Sequence, residues 1–238
     1  MTYYSFPGIY QGKHGFQSRQ MIPRVKICCI SSIKEAWIAI EAGASALGLV
    51  GPMPSGPGVI DDELIYRIAK AAPPPIGTFL LTSETSVISI IRHHQRTQTN
   101  TIQIVDTLTY GTYAELRNEL PGIKLVKVIH VVNEHSVAEA IEISEQVDAI
   151  LLDSGNPNIA VKELGGTGRT HNWELSRKIR DGIKIPVFLA GGLKSENIRL
   201  AIDIVQPFGI DLCSGVRTNG RLDREKLDRF MDEVMKIG

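Results

Sequence analysis

Apolar residues in this chain come in short continuous runs, and each run is followed by a longer segment of helical period. From Arg24 onward the pair repeats. The runs Val25–Ile30, Ala46–Val50, Ile76–Leu81, Thr101–Val105, Lys124–Ile129, Asp148–Asp153, Pro186–Ala190 and Gly209–Leu212 have the length and character of strands buried on both faces. The helical segments between them open at or near Ser31 or Ser32, Asp61, Thr85, Thr112, Glu134, Asn172 and Ser195, several of them good capping residues. Gly43, Pro73-Pro74-Pro75 and Pro121-Gly122 mark where three of those helices must stop. The last helix, Asp223–Lys236, puts Leu227, Phe230, Met231 and Val234 on one face.

Eight strand–helix pairs with short connections and no break in composition predict an α/β fold, a single (β/α)8 TIM barrel over residues 24–238. The competing arrangement is an open doubly wound sheet. It is disfavoured because every strand is about equally short and apolar, with no edge strand among them. Residues 1–23 stand outside the repeat and read as an N-terminal extension; they are aromatic, aperiodic and lack the apolar run of a signal peptide.

Composition narrows the function more than the fold. The 238 residues are 43% apolar, enough for one large core, and 26 basic side chains balance 26 acidic ones. Such a neutral chain offers no global attraction to nucleic acid or to a membrane surface. No apolar run nears the ~20 residues that span a bilayer. Three cysteines, two of them adjacent, make neither a disulfide framework nor a zinc pattern, and reduced thiols in a cytoplasmic protein are the simpler reading. Nothing calls for a metal.

In a barrel of this kind the chemistry lies at the carboxyl ends of the strands. Strand one ends in Cys28-Cys29, strand four in Gln103 to Asp106 and strand six in Asp153-Ser154. Gly165-Gly166-Thr167-Gly168 follows strand six, Ala190-Gly191-Gly192-Leu193 ends strand seven, and Cys213-Ser214-Gly215-Val216 follows strand eight. Glycines there let backbone N–H groups approach an anion, so three neighbouring loops can converge on one phosphate. The bland alternative for each is an ordinary turn. Cys28 and Asp153 come from opposite sides of the ring, and a substrate between a thiol and a carboxylate suits acid–base catalysis. Their alternatives are a small buried residue for Cys28 and a helix cap for Asp153. Lys26, two residues before Cys28 on the strand, faces the same way. His93-His94 reads as a solvated helix surface, His130 and His135 flank the end of strand five without metal-site spacing, and His171 as a local hydrogen-bonding residue. Cys213, Trp37 and Trp173 read as packing.

With these residues in place, the chain resembles the phosphoribosylanthranilate isomerase family from Arg24 to Gly238. The likeness rests on Lys26-Ile27-Cys28, Leu151-Leu152-Asp153-Ser154, Gly165-Gly166-Thr167-Gly168, Ala190-Gly191-Gly192-Leu193 and Ser214-Gly215-Val216, in that order and spacing. The resemblance implies a cofactor-free Amadori rearrangement of an aminated phosphoribose in tryptophan biosynthesis. Asp153 would be the general acid and Cys28, as thiolate, the general base. Gly166, Thr167, Gly168, Gly191, Gly192, Ser214 and Gly215 would hold the phosphate, with Lys26 and Arg217 as further substrate-binding residues. The expected partner is a small phosphosugar, and the chain itself is expected as a monomer or homodimer.

Four positions depart from the family pattern. Cys29 stands where a glycine is usual, Gly58 replaces an arginine that meets the substrate carboxylate, Val105 replaces a histidine, and Arg217 replaces a glutamate. Arg217 is therefore the candidate substitute cation. The departures keep two other readings open: a paralogue or another phosphosugar enzyme with a different substrate, and a non-catalytic binder of sugar phosphates.

Overall fold

The computed structural model describes residues 21–54, 56–155 and 170–236. Eight parallel strands close into a barrel in sequence order: β1 (Arg24–Ile27), β2 (Ala46–Val50), β3 (Gly77–Thr82), β4 (Thr101–Ile104), β5 (Lys124–His130), β6 (Ala149–Asp153), β7 (Val187–Leu189) and β8 (Gly209–Leu212). β1 closes the ring on β8, with Lys26 opposite Asp211. The helices α1 (Ile33–Glu41), α2 (Asp62–Ala71), α3 (Val87–Thr97), α4 (Tyr113–Glu119), α5 (Glu134–Ser144), α6 (Trp173–Gly182), α7 (Ile198–Val205) and α8 (Arg224–Met235) follow the strands in turn. The eightfold repeat read from the hydrophobic pattern is therefore the fold observed. Residues 1–20, most of the expected extension, lie outside the described residues.

Alternation along each strand divides the core into two shells. Outward residues such as Val25, Ile27, Leu47, Leu49, Ile150 and Leu152 pack under the helices. Inward ones, among them Phe79, Val126, Val128, Leu151 and Phe188, fill the barrel lumen. Small or flat side chains close its lower part, where Phe79 and Phe188 meet edge to face at 6.0 Å. Lumen packing thus stops short of the carboxyl ends, and a depression is left there.

Helix starts are fixed as the sequence implies. Ser32 accepts from the Glu35 N–H, Asp61 from Leu64 N–H, and Thr112 with Glu115 forms a reciprocal capping box. One feature carries no hydrophobic signature: after β8 a 3-10 turn (Ser214–Val216) leads into a short hairpin, β9 (Arg217–Thr218) with β10 (Arg221–Leu222). Two-residue strands are too short for periodicity to register. Trp37, expected in packing, is instead 44% exposed, whereas Trp173 packs against the core.

Candidate active site

β1 ends sooner than the apolar run Val25–Ile30 suggests. The Cys28 N–H still donates to the Leu212 carbonyl at 2.7 Å, but Cys29 adopts a left-handed conformation with φ of 63°. Only glycine takes that conformation freely, so a cysteine there costs roughly 1–2 kcal/mol. A regular strand turns Cys29 away from Cys28. The left-handed turn instead brings its sulfur to the same cavity, 2.7 Å from the Cys213 sulfur. Cys213, expected only to pack, is therefore half of a thiol pair.

The depression at the strand ends is a cavity open to solvent, and both Cys28 and Asp153 line it. Around the ring they are three strands apart, β1 to β6 by way of β8 and β7. Asp153 is 7% exposed. Burial pushes its carboxyl up to about 6, with the nearby Asp211 adding to the rise. The Ser154 N–H, donating at 2.7 Å, and Lys26 pull the other way without prevailing. The result is a carboxyl group able to hold a proton close to neutral pH, the property a general acid needs.

Beneath the cavity Lys26 is fully buried, with Nζ 2.8 Å from Asp211 Oδ1 and 5.3 Å from the centre of the Phe79 ring. Burial alone lowers a lysine. Here Asp211 outweighs it, assisted by the thiols of Cys28 and Cys29, and Lys26 stays charged above its ordinary value. A Cβ added to Gly48 would lie 2.9 Å from Cys28 Sγ and 3.0 Å from Lys26 Nζ. Glycine at 48 thus leaves room for thiol and ammonium to face one point on β2, and a cation is the neighbour a reactive cysteine needs. Lys26 itself does not line the cavity. Asp211 does, together with Gln103, whose buried Oε1 has no hydrogen-bond partner among the described residues. Sequence reading passed over Asp211 because it sits inside an apolar strand; its inward register, two residues before Cys213, was the available signal.

Arg217 does not serve as a cation in the cavity. One guanidinium nitrogen donates to the carbonyls of Cys28 at 2.9 Å and Cys29 at 2.6 Å, and the other meets Glu35 Oε2 at 3.3 Å and the Gly220 carbonyl at 3.0 Å. Glu35 also accepts from the N–H groups of Ser31 and Leu222. Burial raises the Glu35 carboxyl, but those two donors and Arg217 together hold it below its ordinary value. Arg217 is thus a clamp that ties the β9–β10 hairpin to the turn after β1, and it braces the left-handed Cys29.

Gly58 is constrained by the same turn. Its φ is +78°, and a Cβ there would overlap Cys29 Cβ. The Cys29 side chain therefore excludes one at 58. Among the described residues lining the cavity, none is Arg, Lys or His.

The histidines are placed differently from expectation. His93 and His94 are buried on the inner face of α3: His93 Nδ1 lies 2.9 Å from Thr82 Oγ1, and His94 Nε2 2.8 Å from the Thr99 carbonyl. His130 is buried beside Asp153 in register, with burial and Lys127 pressing it down to about 4, while His135 is exposed. His171 Nε2 lies 2.7 Å from Ser176 Oγ.

At the far wall, Gly191 (φ 85°), Gly192 (φ 63°), Ser214 and Gly215 all line the cavity. A Cβ on Gly191 would come within 2.8 Å of Ser154 Oγ, and one on Gly215 would overlap the Leu193 carbonyl. Glycine at these two places lets the turns after β6, β7 and β8 close on one another. Asn197 fastens the middle turn, donating to the Gly192 carbonyl at 3.0 Å and accepting from Lys194 N–H at 2.8 Å. Gly166, Thr167 and Gly168 lie outside the described residues.

Comparison with known proteins matches residues 25–233 to the family model for N-(5'-phosphoribosyl)anthranilate (PRA) isomerase. The chain belongs to the PRA isomerase family. A PRA isomerase of Methanosarcina mazei is 34% identical over 210 residues, 87% of this chain and 92% of the relative. The PRA isomerase structure from Thermotoga maritima superposes with a TM-score of 0.74 at 30% identity, covering 90% of this chain and 99% of that one. Another PRA isomerase structure, at 28% identity and TM-score 0.72 over the same shares, contains the reduced form of 1-(o-carboxyphenylamino)-1-deoxyribulose 5-phosphate. In this PRA isomerase family member Cys28 and Asp153 line one cavity, and the Cys29 side chain, which also lines it, crowds Gly58.

Proposed function

We propose that this chain isomerises N-(5'-phosphoribosyl)anthranilate to its ketose, an Amadori rearrangement in tryptophan biosynthesis. It is an intramolecular oxidoreduction of an aldose to a ketose and draws on no cofactor. The substrate lies in the cavity with its phosphate toward the glycine turns after β7 and β8 and its furanose between Asp153 and Cys28. Asp153, protonated, gives its proton to the furanose ring oxygen, and the ring opens to a Schiff base. Cys28 as thiolate removes the proton from C2′, and the resulting enolamine tautomerises to the ketone. Hydrogen moves from C2′ to C1′ overall, so the sum of atoms is unchanged.

The observation that carries this reading is the pairing of Cys28 with a carboxyl group of raised pKa across one cavity. Lys26 acts from beneath, as a fixed charge beside the thiol, rather than on the substrate. Among the described residues no helix is long and apolar enough to cross a membrane. A cytoplasmic location and a monomeric or homodimeric state belong to the proposal; the T. maritima relative is described as dimeric.

The lack of a basic residue among the described lining residues favours a second reading, a phosphoribosyl-amine without the anthranilate carboxylate. Purified protein given PRA should abolish the anthranilate-derived fluorescence at an enzymatic rate. No loss with PRA, together with turnover of an N-phosphoribosyl-amine whose amine substituent has no carboxylate, would favour the second reading. Binding without turnover of either would leave a sugar-phosphate binder.

A further inference from the structure

The thiol pair Cys29 and Cys213 has no role in the isomerisation, yet the barrel builds it with some care. The sulfurs are 2.7 Å apart, well inside van der Waals contact and approaching the ~2.05 Å of a bond. They belong to the turns that follow adjacent strands, β1 and β8, whose pairing fixes the distance between the two backbones. Cys29 holds its place at a left-handed φ that suits glycine, and the Arg217 clamp on its carbonyl stabilises that conformation. Gly58 stays free of a side chain beside it.

We infer that Cys29 and Cys213 form a dithiol–disulfide couple, oxidised by a small-molecule disulfide, and that the closed form staples the turn after β1 to the turn after β8. Cys213 is the thiol the oxidant meets, since it is partly exposed and lines the open cavity, whereas Cys29 is 4% exposed. The hydrogen bond from Cys29 also lowers the Cys213 thiol, and Arg217 assists; the Cys29 thiol is raised, first by Cys213 and then by Cys28. That asymmetry makes Cys213 the attacking thiolate and Cys29 the resolving group.

With a small disulfide RSSR, the Cys213 thiolate attacks one sulfur and expels RS−. Cys29 then loses its proton to solvent and attacks the Cys213 sulfur of the mixed disulfide, expelling the second RS−. Two cysteine thiols give up two electrons, and RSSR becomes two RSH. Cys28 keeps its thiol, because the 2.7 Å contact already selects Cys29 as the partner of Cys213. The couple depends on no particular aminosugar substrate.

The full-length protein, freshly reduced, should be treated with oxidised glutathione, quenched with an alkylating reagent under denaturing conditions, and weighed intact. The expected species is two hydrogens lighter than the reduced chain, carries one alkyl group and no glutathione, and yields a joined Cys29–Cys213 peptide. Cys29→Ser should instead stop at one glutathione on Cys213, and Cys213→Ser should not form the crosslink. If either variant folds poorly, a second readout on native protein suffices: the oxidised form should unfold at a higher temperature, and a reducing agent should return it. Three alkyl groups after oxidation, a stable glutathione adduct on native protein, or a crosslink containing Cys28 would overturn the assignment.

Discussion

Replacing Asp153 by asparagine should stabilise the protein in a pH-dependent way while removing its activity. In the folded chain the carboxyl sits at about 6 against an ordinary value of 3.8. Well below pH 3.8, at about pH 3 and under, it is neutral folded and unfolded, and ionisation costs nothing. As pH rises through the window from 3.8 to about 6, the unfolded chain ionises first and is favoured. Above that window the penalty is constant, about 3 kcal/mol at 1.36 kcal/mol per unit. Asparagine never ionises and escapes it. The bond from Ser154 N–H favours the ionised carboxylate, and its effect is already contained in the shift to about 6. The stability of Asp153→Asn minus that of native protein should therefore climb by about 3 kcal/mol between roughly pH 3 and pH 7. Urea titrations of both proteins across the window measure it directly. A difference flat to within about 1 kcal/mol would mean that Asp153 is not a buried, raised acid, and the assignment of a proton donor would fall with it.

Neighbouring groups should move the same titration. Asp211→Asn should shift the limb of kcat/KM governed by Asp153 to lower pH, and Lys26→Met should shift it higher, because Asp211 raises that carboxyl and Lys26 lowers it; unchanged profiles would separate these residues from the acid. Arg217→Ala should cost about 3 kcal/mol or more in urea unfolding, since it removes the cation beside Glu35 and the donor to the carbonyls of Cys28, Cys29 and Gly220. A loss confined to KM would instead make Arg217 a substrate contact. Gly58→Arg alone should cost about 1–3 kcal/mol through overlap with Cys29, and the Cys29→Gly background should recover at least about 1 kcal/mol of that loss, as a double-mutant cycle reads it. Without an arginine at 58, PRA should bind about ten- to a hundredfold more weakly than to a relative possessing one, measured by KM or by calorimetry.

The barrel was legible because hydrophobic run length distinguishes fully buried parallel strands from the helices between them, and eight such pairs have few ways to close. Cys28, Asp153 and the glycine turns were legible because strand ends are where barrels place reactive groups. What escaped the sequence is what depends on a single backbone angle. Nothing in the letters Cys28-Cys29 signals that the second cysteine turns left-handed, and from that turn follow the contact with Cys213, the exclusion of any side chain at 58, and the employment of Arg217 as a clamp. Asp211 escaped for a different reason: inside an apolar strand its charge looks like an exception, and only the partner opposite it, Lys26, explains the burial. His93 and His94 misled through polarity, since each is buried with one ring nitrogen hydrogen-bonded inside the helix layer.

In the proposed reaction Cys28 is the base that takes the C2′ proton. Single-turnover decay of PRA fluorescence with native protein and Cys28→Ala, each in excess over substrate, tests that step most directly. Native protein should convert PRA, and the variant should bind it yet turn it over about two to four orders of magnitude more slowly. Conversion by Cys28→Ala at the native rate would contradict the mechanism and send the search for a base elsewhere in the cavity.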